Sequence, residues 1–338
     1  MGLSGAWRIS ASDFDTITSR AGVTHTDALR ALLPQARTLS VAPISNFNVG
    51  AAVLGASGNV YLGANNEHTR VSIAACVHAE QCALANTFLG HEEAVRAIAI
   101  TAMPCGHCRQ FINELPNAKD ITILVDNHDP LKFEALLPHS FGPSDLHADP
   151  IHFLSHPRTP LRVLAAPTVV PGSGKDADAA VAPKAAVESA VAAAEASYSP
   201  HTLSHAGLVL VIGDKHVRGS YVENCAFNPS LPPLQMALIN ARMQQLDCRA
   251  AEAVVLAERE HEVAVSHVDA TLALMRSVGI RAPLTHVQLQ CRGDGESGHA
   301  RQRDCDGADG DKSEESRSPG TTSDEGPSRG EEGDQTQG

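Results

Sequence analysis

Residues 45–67, SNFNVGAAVLGASGNVYLGANNE, hold two short apolar runs joined by a Gly-Asn turn, the pattern of a β-hairpin. Residues 206–224, AGLVLVIGDKHVRGSYVEN, hold two similar runs joined by Gly-Asp-Lys. In each case the hairpin is followed by an Asn/Glu pair, a gap and a helical stretch, EQCALANTF at 80–88 and LQMALINAR at 234–242. Internal repetition on this scale points to duplication of one folding unit. The copies differ at one decisive place. The first enters its helix through His78-Ala79-Glu80, the second through Pro232-Pro233-Leu234, and the second has no counterpart of the Cys105/Cys108 pair. The second copy keeps the scaffold without the chemistry.

Working outward, the first copy reads as a helix over 27–39, strands over 48–54 and 60–63, and a helix over 78–89. A strand over 97–101, a helix over 105–115 and a strand over 121–125 follow. Strands alternating with helices behind one antiparallel hairpin predict an α/β layered domain. Residues 166–183, APTVVPGSGKDADAAVAP, have neither helical nor alternating periodicity and read as a linker. After Leu289 no Ile, Val, Leu, Met or aromatic residue occurs. Residues 290–338 therefore cannot bury enough apolar area to offset ordering entropy, and they read as a disordered acidic Gly/Ser-rich tail. The chain divides into an N-terminal segment with the first copy (1–165), the linker (166–183), the second copy (184–289) and the tail (290–338).

Its 338 residues, 43% of them apolar, suffice for two domains. The formal net charge is −13, and residues 290–338 hold 13 Asp and Glu against 6 Lys and Arg. The body is thus only mildly acidic, yet it shows no basic stripe of the kind that neutralises phosphates, which argues against a nucleic-acid partner. The N-terminal MGLSGAWRIS lacks the apolar stretch of a signal peptide, and Ala6 makes a poor myristoylation match. No apolar run approaches the roughly 20 residues of a membrane helix. A cytoplasmic protein without membrane association is expected. In such a chain the eight cysteines read as thiols or metal ligands rather than a disulfide framework.

Pro104-Cys105-Gly106-His107-Cys108-Arg109-Gln110-Phe111 is the strongest local motif. It follows an apolar strand and opens a helix, whose N-terminal amides and dipole favour thiolates. Alone, it reads equally well as a thiol–disulfide motif or a structural zinc knuckle. His78-Ala79-Glu80, at the start of another helix, shifts the balance to a hydrolytic zinc site, which keeps three protein ligands and one open position. Glu80 lies two residues from His78, so the two do not share a helix face. The helix N-terminus itself must point at the metal, with His78 ligating and Glu80 beside the bound water. His107 reads as packing or as a support behind the ligands, not as a ligand. Cys76, Cys82, Cys225 and Cys248 read as buried small apolar residues, and Cys291 and Cys305 as thiols at the edge of or within the tail.

The pattern His-x-Glu with Pro-Cys-x-x-Cys is the known signature of zinc deaminases. Across residues 33–282 the chain resembles the two-domain, homodimeric cytidine deaminases of bacteria and plants. The resemblance is carried by SNFNVGA, GANNE, VHAEQCA, PCGHCRQFINEL and FGPSDL, and in the second copy by SYSP and GSYVENCAFNPSLPPLQMAL. It implies a three-layer α-β-α fold with a mixed sheet, duplicated as a catalytic and a degenerate non-catalytic domain. It also implies hydrolysis of cytidine and 2′-deoxycytidine to uridine and 2′-deoxyuridine, releasing ammonia, in pyrimidine salvage, by a homodimer acting on a free nucleoside. His78, Cys105 and Cys108 would bind zinc, which activates the attacking water, and Glu80 would shuttle protons. Asn65 and Glu67 would hydrogen-bond the ribose, Phe47 would stack near the base, and Ala79 and Met103 would present backbone groups to the pyrimidine edge. Phe141 would cover the neighbouring site in the dimer. By themselves Asn65 reads as an Asx turn, and Phe47 and Phe141 as structural apolar residues. Ala102 stands where some members carry an aromatic residue, and Met103 is bulkier than usual, which leaves the base contacts open. Three alternatives remain at this point: deamination of cytosine in a polynucleotide, a non-catalytic zinc-stabilised binding protein, and a thiol–disulfide oxidoreductase.

Overall fold

The computed structural model describes residues 7–174, 180–260 and 263–292. A short strand, β1 (Arg8–Ile9), leads into α1 (Ala11–Ala21) and α2 (His25–Thr38). Both helices start on side-chain caps. The Ser10 hydroxyl oxygen accepts from the Asp13 N–H and that of Thr24 from the Asp27 N–H. Then come β2 (Gly50–Gly55), β3 (Val60–Ala64), α3 (Ala79–Leu89), β4 (Val95–Ile100), α4 (Gly106–Ile112), β5 (Thr122–Val125) and β6 (Leu131–Lys132). The sheet order is β1-β3-β2-β4-β5-β6, with β4 and β5 parallel and the other pairs antiparallel.

Alternation along the strands sorts side chains to two faces. Val53, Tyr61, Ile98 and Ile100 pack with Ala83 and Leu84 of α3 and Phe111 and Ile112 of α4. Ala52, Leu54, Val60, Leu62 and Ala99 pack with Phe14 of α1 and with Leu29, Leu32, Leu33 and Ala36 of α2. The result is the three-layer α-β-α arrangement expected.

After α5 (Pro143–Leu146) come β7 (Leu161–Val163), β8 (Thr168–Val169), α6 (Lys184–Glu195), β9 (Ala206–Ile212) and β10 (Lys215–Ser220). The chain continues with α7 (Pro233–Met243), β11 (Ala253–Arg259), α8 (Val268–Val278) and β12 (Leu284–Cys291). The second sheet runs β10-β9-β11-β12-β7, with β8 also on β12. Strands β10-β9-β11-β12 repeat the order of β3-β2-β4-β5, and again only the last two are parallel. Duplication of the fold is therefore visible in strand connectivity. Helix α6 covers one face (Ala186, Ala190 and Ala194 on Val209, Val255 and Val287), and α7 with α8 the other (Ala237, Leu238, Leu274 and Met275 on Leu208, Leu210 and Leu256).

The domain limits differ from those the sequence suggests. Leu161–Val163, assigned above to the first copy, is an edge strand of the second sheet, pairing Leu161 with Cys291. The stretch 166–183 contains β8, whose Val169 pairs with Thr285, so its first residues are a sheet edge rather than a free spacer. Strand β12 extends through residues 290 and 291 of the stretch read as tail, and Cys291 is buried. The rest of that tail, from residue 293, lies outside the described residues, as does Cys305. Helix α1 is an element the sequence reading did not assign.

The copies meet through α3 and α7, whose residues share one apolar cluster: Ala83 and Leu84 with Met236 and Ile239. Two glutamines at the same helical position bond reciprocally across this junction. Gln81 Nε2 donates to Pro229 O at 2.9 Å, and Gln235 Nε2 donates to Ala75 O at 2.8 Å. Glu114, just past α4 and fully buried, accepts from the Tyr198 hydroxyl and the Cys225 N–H, both at 2.6 Å. Among the described residues no helix is long and apolar enough to cross a membrane.

Candidate active site

Helices α3 and α4 begin at one place. His78 is the N-cap of α3 and Cys105 the N-cap of α4, both in extended conformation. His78 Nδ1 lies 3.2 Å from Cys108 Sγ and 3.4 Å from Cys105 Sγ, and the two sulfurs are 3.7 Å apart. A tetrahedral zinc with Zn–S near 2.3 Å holds two sulfurs about 3.8 Å apart, so this spacing suits that ion. The donor set suits it as well, since two sulfurs and an imidazole are soft and borderline ligands of the kind zinc selects. Two helix N-termini aimed at the same point favour the thiolate forms. As thiols, the pair titrates unequally. Hydrogen bonds from the Cys108 thiol and from His78 pull Cys105 down to about 3. The charged neighbour and burial drive Cys108 up. Residues 78, 105 and 108 can therefore hold a zinc ion.

Glu80 sits in the first turn of α3, 4% exposed, and lines the cavity in front of this group. Burial raises its pKa above the usual carboxylate range, against hydrogen bonding and the nearby His78 charge, which lower it. A carboxyl with a raised pKa thus faces the same cavity as His78 and Cys105. The cavity measures about 340 Å³, and Phe47, Asn65, Glu67, Ala79 and Met103 line it together with His78, Glu80 and Cys105. Cys108 is fully buried beneath. Phe47, 58% exposed, and Met103, 40% exposed, form the open rim with Ile44 and Ile73.

Asn65 and Glu67 are fixed before any ligand arrives. Glu67 Oε2 accepts from the backbone N–H of Ile44 and Ser45, each at 2.9 Å, and Oε1 accepts from the Ser45 hydroxyl. The Asn65 side chain is tied to Ser40, Phe47 and Val49. Phe141 stands apart. It is 46% exposed and outside this cavity, with its carbonyl accepting from Gln110 Nε2 at 2.8 Å and Asn113 Nδ2 at 2.9 Å. Cys76, expected as a buried filler, is half-buried on the cavity wall, and Cys248 is half-buried too. Cys82 and Cys225 are buried. The ring of His107 lies 5.0 Å from that of His78, a packing neighbour as expected.

Several supporting residues were given no role in the sequence reading. Arg109 pins the cysteine turn, donating through Nε to Pro104 O and through Nη1 to Leu136 O, both at 2.8 Å. Thr101 fixes the other wall by accepting from the Gly50 N–H at 3.1 Å. Its place just after an apolar strand was the only hint. Ser40 and Ser45 lie on the loop after α2; Ser45 opens the SNFNVGA motif without a role read from it, and Ser40 was visible only as part of a polar, proline-containing stretch.

Two family models match the chain, each described as the cytidine and deoxycytidylate deaminase zinc-binding region, one over residues 24–124 and the other over 133–272. The cytidine deaminase of Serratia proteamaculans (strain 568) is 38% identical over 273 residues, covering 80% of this chain and 86% of that protein. The cytidine deaminase of Vibrio cholerae serotype O1 (strain ATCC 39541) is 37% identical over 281 residues, covering 83% and 89% respectively. That of Photobacterium profundum is 36% identical over 282 residues, covering 82% and 88%. With both family matches falling on the duplicated fold and the ligand set converging in its first copy, the chain belongs to the cytidine deaminase family.

Proposed function

We propose that the protein is a zinc-dependent cytidine deaminase, hydrolysing cytidine and 2′-deoxycytidine to uridine and 2′-deoxyuridine with release of ammonia. The observation that carries this is the meeting of His78, Cys105 and Cys108 with the buried Glu80 on the floor of one cavity, whose rim holds Asn65 and Glu67. Among the described residues no Lys or Arg lines that cavity, which suits an uncharged nucleoside and not a phosphate-bearing substrate or a polynucleotide.

His78, Cys105 and Cys108 would hold the zinc, which when bound would make a water nucleophilic at neutral pH by lowering its pKa towards about 7, for attack on the amine-bearing ring carbon. Glu80 handles both protons of that water. It takes the first and delivers it to the adjacent ring nitrogen, then takes the second from the new hydroxyl and passes it to the amine. The carbon–nitrogen bond breaks, ammonia leaves, and the carbonyl of uridine forms. Asn65 and Glu67 hold the sugar, Phe47 stacks on the base, and backbone groups of Ala79 and Met103 meet the pyrimidine edge. Burying the base against this apolar wall orients it, and holding it there supplies the proximity term of catalysis.

The second copy serves as a scaffold, with Pro232 and Leu234 in the places of His78 and Glu80. In a homodimer the exposed Phe141 covers the neighbouring site. The enzyme works in the cytoplasm, in pyrimidine salvage. Ammonia release from cytidine by protein carrying stoichiometric zinc tests the proposal. Zinc-loaded protein that leaves both cytidine and deoxycytidine untouched would overturn it.

A further inference from the structure

Resting on Asn65 as a sugar ligand, we infer that Ser40 is a positioning residue that helps hold the Asn65 amide with an N–H towards the substrate. The Ser40 hydroxyl lies 2.5 Å from Asn65 Oδ1 and 3.2 Å from Asn48 Oδ1, and with one proton to give, the shorter contact takes it. The backbone N–H of Val49 also donates to Asn65 Oδ1, at 2.9 Å, and Asn65 Nδ2 donates to Phe47 O at 2.9 Å. An amide oxygen offers two lone pairs and an amide nitrogen two protons. Both lone pairs are therefore taken, one proton is taken, and a single N–H is left for the substrate.

Glu67 is the complement. Its Oε2 is filled by two backbone N–H groups, whereas Oε1 receives only the Ser45 hydroxyl and keeps room to accept. A sugar hydroxyl both accepts and donates, so one hydroxyl satisfies the Asn65 N–H and Glu67 Oε1 together. With the amide reversed, two acceptors would converge on one hydroxyl proton, the Val49 N–H would point into an NH₂ group and the Phe47 carbonyl would face an amide oxygen. Asn65 is 8% exposed, so a wrongly oriented amide has little water to compensate it.

Ser40 does not line the cavity and touches no substrate. Its own place is set by the end of α2, where its backbone N–H donates to Arg37 O at 3.2 Å. It acts through Asn65.

The test compares wild type, Ser40→Ala, Ser40→Thr and Asn65→Ala on cytidine and on 2′,3′-dideoxycytidine, with zinc content and thermal midpoint recorded for each. Ser40→Ala is expected to raise KM for cytidine about 3- to 10-fold with kcat within about 2-fold. The dideoxy substrate should be unaffected, and Ser40→Thr, which keeps the hydroxyl, should restore cytidine binding. An equal loss on both substrates, or no loss on cytidine where Asn65→Ala shows one, overturns the role of Ser40. If wild type does not distinguish the two substrates, the sugar assignment of Asn65 itself falls, and the role of Ser40 with it.

Discussion

Glu223 in the second copy is held by the same three donors as Glu67 in the first. Glu67 accepts from the N–H of Ile44 and Ser45 and from the Ser45 hydroxyl; Glu223 accepts from the N–H of His201 and Thr202 and from the Thr202 hydroxyl. Their surroundings differ. Glu67 is half-buried on the cavity rim, and Glu223 is completely buried. One cradle thus faces the cavity in one copy and anchors a buried loop in the other, and substitution of the two carboxylates should separate substrate recognition, as proposed for Glu67, from anchoring.

Glu223→Ala would leave two backbone N–H groups and a hydroxyl buried without an acceptor, at a cost of about 2–4 kcal/mol. Zinc content should be unchanged. Glu67→Ala should cost less than about 1 kcal/mol, because water reaches its partners. Its effect should appear in kcat/KM for cytidine, a fall of about 10-fold or more from losing a charged hydrogen bond. Urea unfolding and steady-state kinetics on both variants read the contrast directly.

A second paired contrast lies in the backbone. A Cβ on Gly63 would stand 2.4 Å from Ala79 O and 2.3 Å from Ala83 N, and one on Gly219 would stand 2.1 Å from Pro233 O. Each glycine lets a strand touch the helix behind it, α3 in one copy and α7 in the other. Alanine at either position should destabilise by about 1–3 kcal/mol through overpacking. Only Gly63→Ala displaces the helix that carries His78 and Glu80, so only that variant should also bind zinc more weakly. A zinc-chelator competition titration measures this.

Acid should destabilise the protein. Burial, with smaller contributions from Arg259 and His156, pushes His205 down to about 4, and burial pushes His267 down to about 4. In the unfolded chain both titrate near 6.5. Between those values the unfolded state holds more protons, so unfolding free energy falls as pH falls. The contribution is fully present above about 6.5 and is lost towards 4, at up to about 1.4 kcal/mol per pH unit for each histidine. Glu114 and Glu258 act in the same direction at lower pH. Burial works to raise them, but hydrogen bonds, led by those from His201 and His286 respectively, hold both below the ordinary carboxylate range. Urea midpoints at pH 7 and pH 5 check the slope, and a non-titrating residue at 205 should reduce it.

Removing zinc should abolish turnover without unfolding the chain. His78 and Cys105 cap α3 and α4, while the bodies of these helices are held by Ala83, Leu84, Phe111 and Ile112 in the main apolar cluster. A chelator should therefore leave the far-ultraviolet circular dichroism intact and lower the thermal midpoint, and added zinc should restore both activity and midpoint. Cys108→Ser should show the same loss without restoration.

Much of this was legible in the chain, and the omissions have physical causes. The hairpins announce themselves through period-two apolar runs, and the ligand motif through residue types that rarely coincide. Helix α1 was readable from Ser10-x-x-Asp13 and Gly22, which close its two ends. The second copy was ended at 289, two residues short of the end of β12, because the outward positions there are polar and the last inward residue is Cys291, not a large apolar side chain. Strands β7 and β8 span three and two residues, too few for any period to show. Ser40, Ser45 and Arg109 act by hydrogen bonds across the fold, so their importance exists only once the fold brings partners 25, 22 and 27 positions apart together.

In the proposed mechanism Glu80 moves protons in front of a zinc held by His78, Cys105 and Cys108. The most direct test of this is ammonia release from cytidine by wild type and Glu80→Gln, with bound zinc measured in both. Equal zinc in the two proteins and a fall in turnover of at least about 100-fold in the variant is the predicted result. A Glu80→Gln protein that keeps its zinc and deaminates cytidine within a few-fold of wild type would contradict it.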